Sequence, residues 1–305
     1  MIHENGRVFF LYIIGMNLFL AKFFVRLFAA LPFWLLYAFS DFTYLLIYRV
    51  FRYRLTVVRE NLVYSFPNKD RKELRKIERR FYHHFCDLIF ESLKLPGISE
   101  DEMKKRMQFI NYKPLLKHYD EGRSVMLHTS HYCNWEWTSS FAIYLPGDKP
   151  LYGVYKKQKS DTTNKVITGI RGHFGSQALE MKSLLRKMVA MRQNGELGMF
   201  GMLSDQSPGR SSMNYFTQFL NQHTAVITGT EQLARKFDFP VYYARLRKVK
   251  RGYYTCELIP VSLEPKLSQE HEISEKYMRL LEEDILHDPA YWLWTHKRWK
   301  HTRSN

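Results

Sequence analysis

The stretch Ser124-Val-Met-Leu-His-Thr-Ser-His131-Tyr-Cys-Asn134-Trp-Glu136-Trp137 joins two textures. It opens as a short apolar run, turns polar, and reads as a helix from Trp135 to Tyr144 that stops before Pro146-Gly147. A buried strand followed by a polar loop and a helix is the repeating unit of an α/β sheet. Working outward, the same alternation continues. Pro150–Tyr155 reads as a strand, Asn164–His173 and Leu179–Gln193 as helices, and Leu197–Leu203 as a strand ending in Ser-Asp205-Gln206. Thr224–Phe237 then reads as a helix, with strands at Pro240–Lys248 and Tyr253–Pro260. The expected fold is α/β, a mainly parallel mixed sheet flanked by helices. Upstream, Arg54–Phe66 stops at Pro67-Asn68. Lys69–Leu95 follows as one long helix, with Leu74, Ile77, Phe81, Phe85, Leu88 and Ile89 along one face.

Composition narrows the class. The 305 residues are 45% hydrophobic and 25% charged, enough apolar surface for a sizeable core and too many charges for a polytopic membrane protein. Three cysteines, Cys86, Cys133 and Cys256, with no CxxC, suit a reducing compartment and no disulfide framework. Lys and Arg number 46 against 30 Asp and Glu, a net charge of +16 that seeks polyanions: nucleic acid, anionic lipid or an acidic carrier protein.

The N-terminus selects lipid. Val8–Ala21 and Leu27–Ser40 carry no charge, and the second run extends to Tyr48 with Asp41 as its one charge. That length is sufficient to cross a bilayer, although Pro32 begins or kinks the helix. Arg49–Arg80 then holds eleven Lys/Arg against four Asp/Glu, the positive-inside pattern that leaves the rest of the chain in the cytoplasm. The expected organisation is an N-terminal membrane-anchoring helical segment, residues 1–48, and a catalytic domain, residues 49–305. Basic nucleic-acid binding is the rival from another class. The cations flank an apolar segment, and no RRM, KH or zinc-finger signature occurs, so no nucleic-acid partner is expected.

Chemistry concentrates at His131 and Glu136. On a continuous helix, five residues apart, they would diverge by about 140°. With His131 in the loop and Asn134 capping the helix, the carboxylate can reach the imidazole and fix its tautomer, the base-plus-orienter arrangement that activates a hydroxyl. His128 and His131 lack a third ligand, so no metal is expected. Cys133 reads as a buried packing residue.

These residues resemble the H-x4-[DE] motif of glycerolipid acyltransferases. The fuller S-H-x-x-N-W-E form is most similar to bacterial lipid A biosynthesis acyltransferases, the lauroyl and myristoyl transferases. Other segments follow in the same order: Asn61-Leu-Val-Tyr-Ser-Phe-Pro67 is similar to N-L-x-x-x-F-P, Tyr155-Lys156-Lys157 stands where Y-R-P is usual, and Arg171 with Phe174-Gly175 resembles R-x-x-x-G. Asp205-Gln206 matches D-Q, and Asp288–Lys300 resembles the closing P-x-x-x-L-W-x-H-x-R-F-K. Lys156 replaces an arginine, Asn221 stands where glycine is usual, and Ser207 where an acid is common.

The resemblance implies an O-acyltransferase in which His131 deprotonates an acceptor hydroxyl and Glu136 holds the imidazole. Asn134, Lys156, Arg171, Asp205 and Gln206 would bind substrate. The donor would be a thioester of acyl carrier protein or acyl-CoA, with no cofactor, and the acceptor a lipid A precursor. A lysophospholipid or aminolipid acceptor is the alternative within the enzyme class. The implied location is an anionic membrane surface, the cytoplasmic face of the bacterial inner membrane. In the closing segment, Trp292 and Trp294 are expected in the core, with Lys297, Arg298 and Lys300 toward solvent or lipid headgroups.

Overall fold

Strand β2 (Val125–Thr129) lies inside the sheet with all five residues buried, which is why it reads as an unbroken apolar run. It belongs to a computed structural model of the chain that describes residues 17–301. Around β2 stand β1 (Met107–Ile110), β3 (Leu151–Tyr155), β4 (Gln177–Glu180), β5 (Met199–Leu203), β8 (Val241–Lys250) and β9 (Tyr253–Ser262). Their order is β1-β9-β8-β2-β5-β3-β4. Strands β8, β2, β5, β3 and β4 are parallel, β9 returns antiparallel to β8, and β1 runs parallel to β9. The expected mainly parallel α/β sheet is present. A separate hairpin pairs β6 (Phe216–Phe219) with β7 (Gln222–Ala225).

One face of the sheet is covered by α1 (Leu18–Ala30), α2 (Phe33–Tyr44, continued by a π-helical turn to Val50), α4 (Arg71–Lys94) and α7 (Asp161–Arg171). The 3₁₀ helix Trp135–Tyr144 lies with them: Phe33 of α2 packs edge-on against Trp137, whose indole donates to the Glu91 carbonyl of α4. The opposite face carries α8 (Leu184–Asn194), α9 (Gly229–Phe237) and α10 (Glu272–His287). There Tyr152 stacks on Phe200, Phe200 stacks on Phe239 beyond α9, and Tyr277 of α10 lies on His128. Helices α3 (Leu55–Ser65), α5 (Glu100–Arg106) and α6 (Lys113–Asp120) lie around these layers.

Helix α4 matches the long helix read from sequence. Asp70 caps it, and Glu73 closes the capping box by accepting from the Asp70 amide. The α1–α2 pair is attached to α4 by polar contacts as well as packing: Lys94 donates to the Ala29 carbonyl, Tyr37 to Glu91 and Ser40 to Asp87. The run expected to extend from Leu27 through Tyr48 is interrupted, because Leu31 and Pro32 are extended and Pro32 starts a new helix. Among the described residues no single helix is long and apolar enough to cross a membrane. The pair 18–30 and 33–50 passes that test only together, bent by 120°. The part of the first apolar run from Val8 to Met16 lies outside the described residues.

Two segments divide differently from the sequence reading. The segment Leu179–Gln193 divides into the end of β4, a short turn and α8. Thr224–Phe237 divides into β7 and α9. β6 and β7 are joined by Leu220 and Asn221, both at positive φ (50° and 60°), the geometry of a tight hairpin turn. Asparagine tolerates that region better than other non-glycine residues, which explains Asn221 at a usual glycine position.

Candidate active site

Parallel pairing of β2 and β5, with Thr129 opposite Leu203, makes the loops after these strands emerge side by side. One carries His131 and the other Asp205-Gln206. His131 Nδ1 lies 2.7 Å from Asp205 Oδ1, and the His131 amide donates to Oδ2 at 3.0 Å. The Trp292 indole donates to the same Oδ2 at 2.9 Å. Burial raises the carboxyl's affinity for a proton, but the His131 charge and these hydrogen bonds outweigh it and hold Asp205 down to about 2. The carboxylate on His131 is therefore that of Asp205, not Glu136.

Glu136 is occupied elsewhere. Arg171 Nε and Nη2 approach its two oxygens at 2.7 Å each, a bidentate fork. Burial pushes the Glu136 carboxyl up, and the adjacent guanidinium more than reverses this. The expected Glu136–His131 contact is replaced because the 3₁₀ helix aims Glu136 at the end of α7, where the planar guanidinium takes both oxygens. Trp135 links the two pairs: its ring packs edge-on to His131 at 5.1 Å, and its indole donates to Glu136.

Asn134 caps the Trp137 amide as expected, but it does not face the cavity. It is fully buried, and its amide donates to Glu91 Oε2 at 2.7 Å, so its visible work is to hold the loop. Cys133 sits at φ 50°, buried, with its thiol pKa pushed up by burial, as a packing residue would be. The closing segment clamps the same loop. Tyr132 and Trp292 form a β-bridge, and the Leu293 amide donates to the His131 carbonyl. Asn61 in turn donates to the carbonyls of Trp294 and His296.

Trp292 and Trp294 are buried as expected; Arg298 is not on a solvated face. It is 2% exposed and donates to the Ala225 carbonyl, because β7 folds over this segment.

His131, Glu136, Lys156, Arg171 and Gln206 all line one cavity of about 410 Å³. Much of its wall is apolar, including Phe85, Leu88, Ile167, Ile170, Leu203 and Ile227. Lys156 stands at the end of β3 and is exposed. Gln206 Nε2 lies 3.2 Å from His131 Nε2. Sequence reasoning missed Trp292 as an Asp205 partner, Glu91 behind Asn134, and Arg54 on the cavity wall, held by the Thr295 carbonyl. Only the third left a local signal, in the cations following the apolar N-terminus.

An imidazole–carboxylate pair at the carboxyl edge of a parallel sheet, opening onto an apolar cavity, is the site of an enzyme whose substrate brings an apolar chain. The chain belongs to the bacterial lipid A biosynthesis acyltransferases, whose family description matches residues 7–301. It is similar to the lipid A biosynthesis palmitoleoyltransferase of Escherichia coli (strain K12), 22% identical over 249 residues that cover 81% of this chain and 79% of that protein. The lauroyltransferase of the same organism is 22% identical over 254 residues, covering 83% and 81%. A lipid A biosynthesis acyltransferase of Shigella flexneri is similar to the same extent as the first. The protein is an acyltransferase of lipid A biosynthesis.

Proposed function

We propose that the enzyme transfers a fatty acyl chain from a thioester, on acyl carrier protein or coenzyme A, to a hydroxyl of a lipid A precursor. In this reading His131 is the general base. Its Nδ1–H is donated to Asp205, which leaves the Nε2 lone pair facing the cavity. The acceptor hydroxyl takes the place now held by the Gln206 amide and gives its proton to Nε2. The oxygen attacks the thioester carbonyl, the C–S bond breaks, and the proton passes from the imidazolium to the departing thiolate.

Glu136 keeps Arg171 oriented on the cavity wall. Arg171 Nη1, which makes no hydrogen bond among the described residues, is assigned to the negative charge that develops on the carbonyl oxygen. Lys156 and Arg54 receive anionic groups of donor or acceptor. Lys156 does so as a point charge, without the planar fork of the arginine it replaces. The apolar wall takes the acyl chain, at about 0.8 kcal/mol per buried methylene.

The exposed apolar side of α1 and α2 supports work at a lipid surface. Phe19 and Trp34 are 76% and 71% exposed, with Phe23 and Phe42 beside them. We assign that surface to the cytoplasmic face of the bacterial inner membrane, from the basic residues that follow it.

The observation that carries this reading is the His131–Asp205 pair at the mouth of the apolar cavity. The test is acyl transfer by purified His131→Ala to a lipid A precursor. Loss of transfer with an unchanged Tm is expected; full activity would remove His131 as the base.

A further inference from the structure

Helix α8 presents an unpartnered face of mixed character. Met181, in the turn that leads into it, and Leu185 and Val189 are exposed at a spacing of four, so they form one ridge along the helix. Lys182 and Arg186 form a parallel ridge one residue over, and Arg192 lies beyond. Among the described residues Lys182, Arg186 and Arg192 make no salt bridge. Tyr155 stands opposite Glu180 in the β3–β4 pair, so the loop after β3 brings Lys156 beside Met181 and adds Lys157 and Lys159, with Lys157 paired to Asp161.

Topology fixes where this face sits. The crossover from β3 through α7 steps outward to the edge strand β4, and the crossover from β4 through α8 steps back past β3 to β5. Right-handed crossovers in opposite directions place the two helices on opposite faces of the sheet. The side chains agree: Lys187 of α8 lies over Tyr152, which stacks on Phe200 on the α9 side, whereas α7 packs against α1. The helix therefore starts at the carboxyl edge of the sheet, where Met181 lines the cavity, and runs back on the face away from α1 and α2.

We infer that the α8 ridge is the docking surface for an acidic protein that carries the acyl group as a thioester and delivers it at Met181. This rests on the acyl-transfer reading above. Charge complementarity selects an acidic partner, and the ridge shape suits the apolar side of a partner helix. A bilayer fits less well. The ridge is aliphatic and narrow, without the aromatic residues that mark lipid interfaces and that α1 and α2 expose. It also lies across the sheet from them. Cations beside the mouth would hold the partner while its arm enters the cavity.

The test compares two donors bearing the same acyl group, acyl carrier protein and uncharged pantetheine, with the full-length enzyme in neutral detergent. The Lys182→Glu/Arg186→Glu variant should raise KM for the protein-borne donor roughly 10-fold or more, leaving its kcat and all pantetheine kinetics unchanged. Leu185→Ser should act in the same direction. If the double variant loses Tm, the Gln substitutions at the same two positions replace it, and wild-type KM for the carrier should rise with salt while that for pantetheine does not. An equal effect on both donors, or none on either, overturns the docking surface. So does loss of binding to anionic phospholipid vesicles with donor kinetics intact, which would make the ridge a lipid contact. Wild-type transfer from pantetheine with no preference for the carrier also overturns it while the acyl-transfer reading stands. Transfer from neither donor removes that reading itself.

Discussion

Asp205 receives three hydrogen bonds from groups that differ in what they fix. The His131 imidazole sets the tautomer, the His131 amide sets the loop, and the Trp292 indole ties in the C-terminal segment. A neutral amide in its place removes the charge that stabilises an imidazolium and can present an N–H to Nδ1, moving the lone pair away from the substrate. Asp205→Asn is expected to lower kcat by about 10²–10⁴-fold, the usual worth of general acid–base catalysis, with KM little changed. Steady-state kinetics on folded protein check this. An unimpaired variant would return the orienting role to Glu136. Glu136→Gln acts through Arg171 instead, so its loss should fall on stabilisation of the oxyanion rather than on the base.

Behind the catalytic loop, helix α4 acts as the element that joins the parts. Its buried Glu91 accepts hydrogen bonds from Tyr37 of α2, Asn134 of the loop and Tyr254 of β9, at 2.9, 2.7 and 2.8 Å. One turn earlier Asp87 takes Ser40, Lys248 and Arg251. Burial, with the neighbouring Asp87 charge, pushes the Glu91 carboxyl up to about 7, against the pull of Lys248 and its hydrogen-bond donors. A raised pKa means that the folded protein holds a proton the unfolded chain has released. The stability this provides is fully present below the ordinary glutamate range and is lost as pH rises through about 7. Glu91→Gln keeps a neutral, hydrogen-bonding group at every pH. The Tm of wild type relative to Glu91→Gln should therefore fall between pH 5 and pH 8. A constant difference across that range would mean that Glu91 stays ionised when folded.

The whole molecule has two surfaces of different composition, with the sheet between them. The α1–α2 side exposes phenylalanines and a tryptophan, and the α8 side exposes cations and aliphatic residues. Burying a large aromatic side chain is worth about 1.5–3 kcal/mol, so a double substitution on the first side should be severe. In liposome flotation the full-length enzyme is expected to bind vesicles, more strongly when they are anionic. Trp34→Ser/Phe42→Ser should weaken binding to both compositions by on the order of 100-fold or more. Added salt should weaken only the anionic excess, because exposed charges are screened beyond about 10 Å at 0.1 M. Wild type that never floats would deny the surface its lipid.

The alternation of apolar and polar runs determined the parallel sheet, because a strand covered by helices on both faces must be apolar on both. The capped helix at Asp70 and the loop at His131 were equally local, each written in adjacent residues. His131 and Glu136 could be singled out for the same reason. Their partners could not. Asp205 reaches His131 across 74 positions and Arg171 reaches Glu136 across 35, and both meetings depend on which strands stand side by side. The same holds for Arg298, whose composition suggested a wet face until the β6–β7 hairpin covered it, and for Asn134, taken up by Glu91. Short-range pattern sets what each segment becomes. Which charge meets which is decided by strand order and crossover hand, and these exist only in the folded chain.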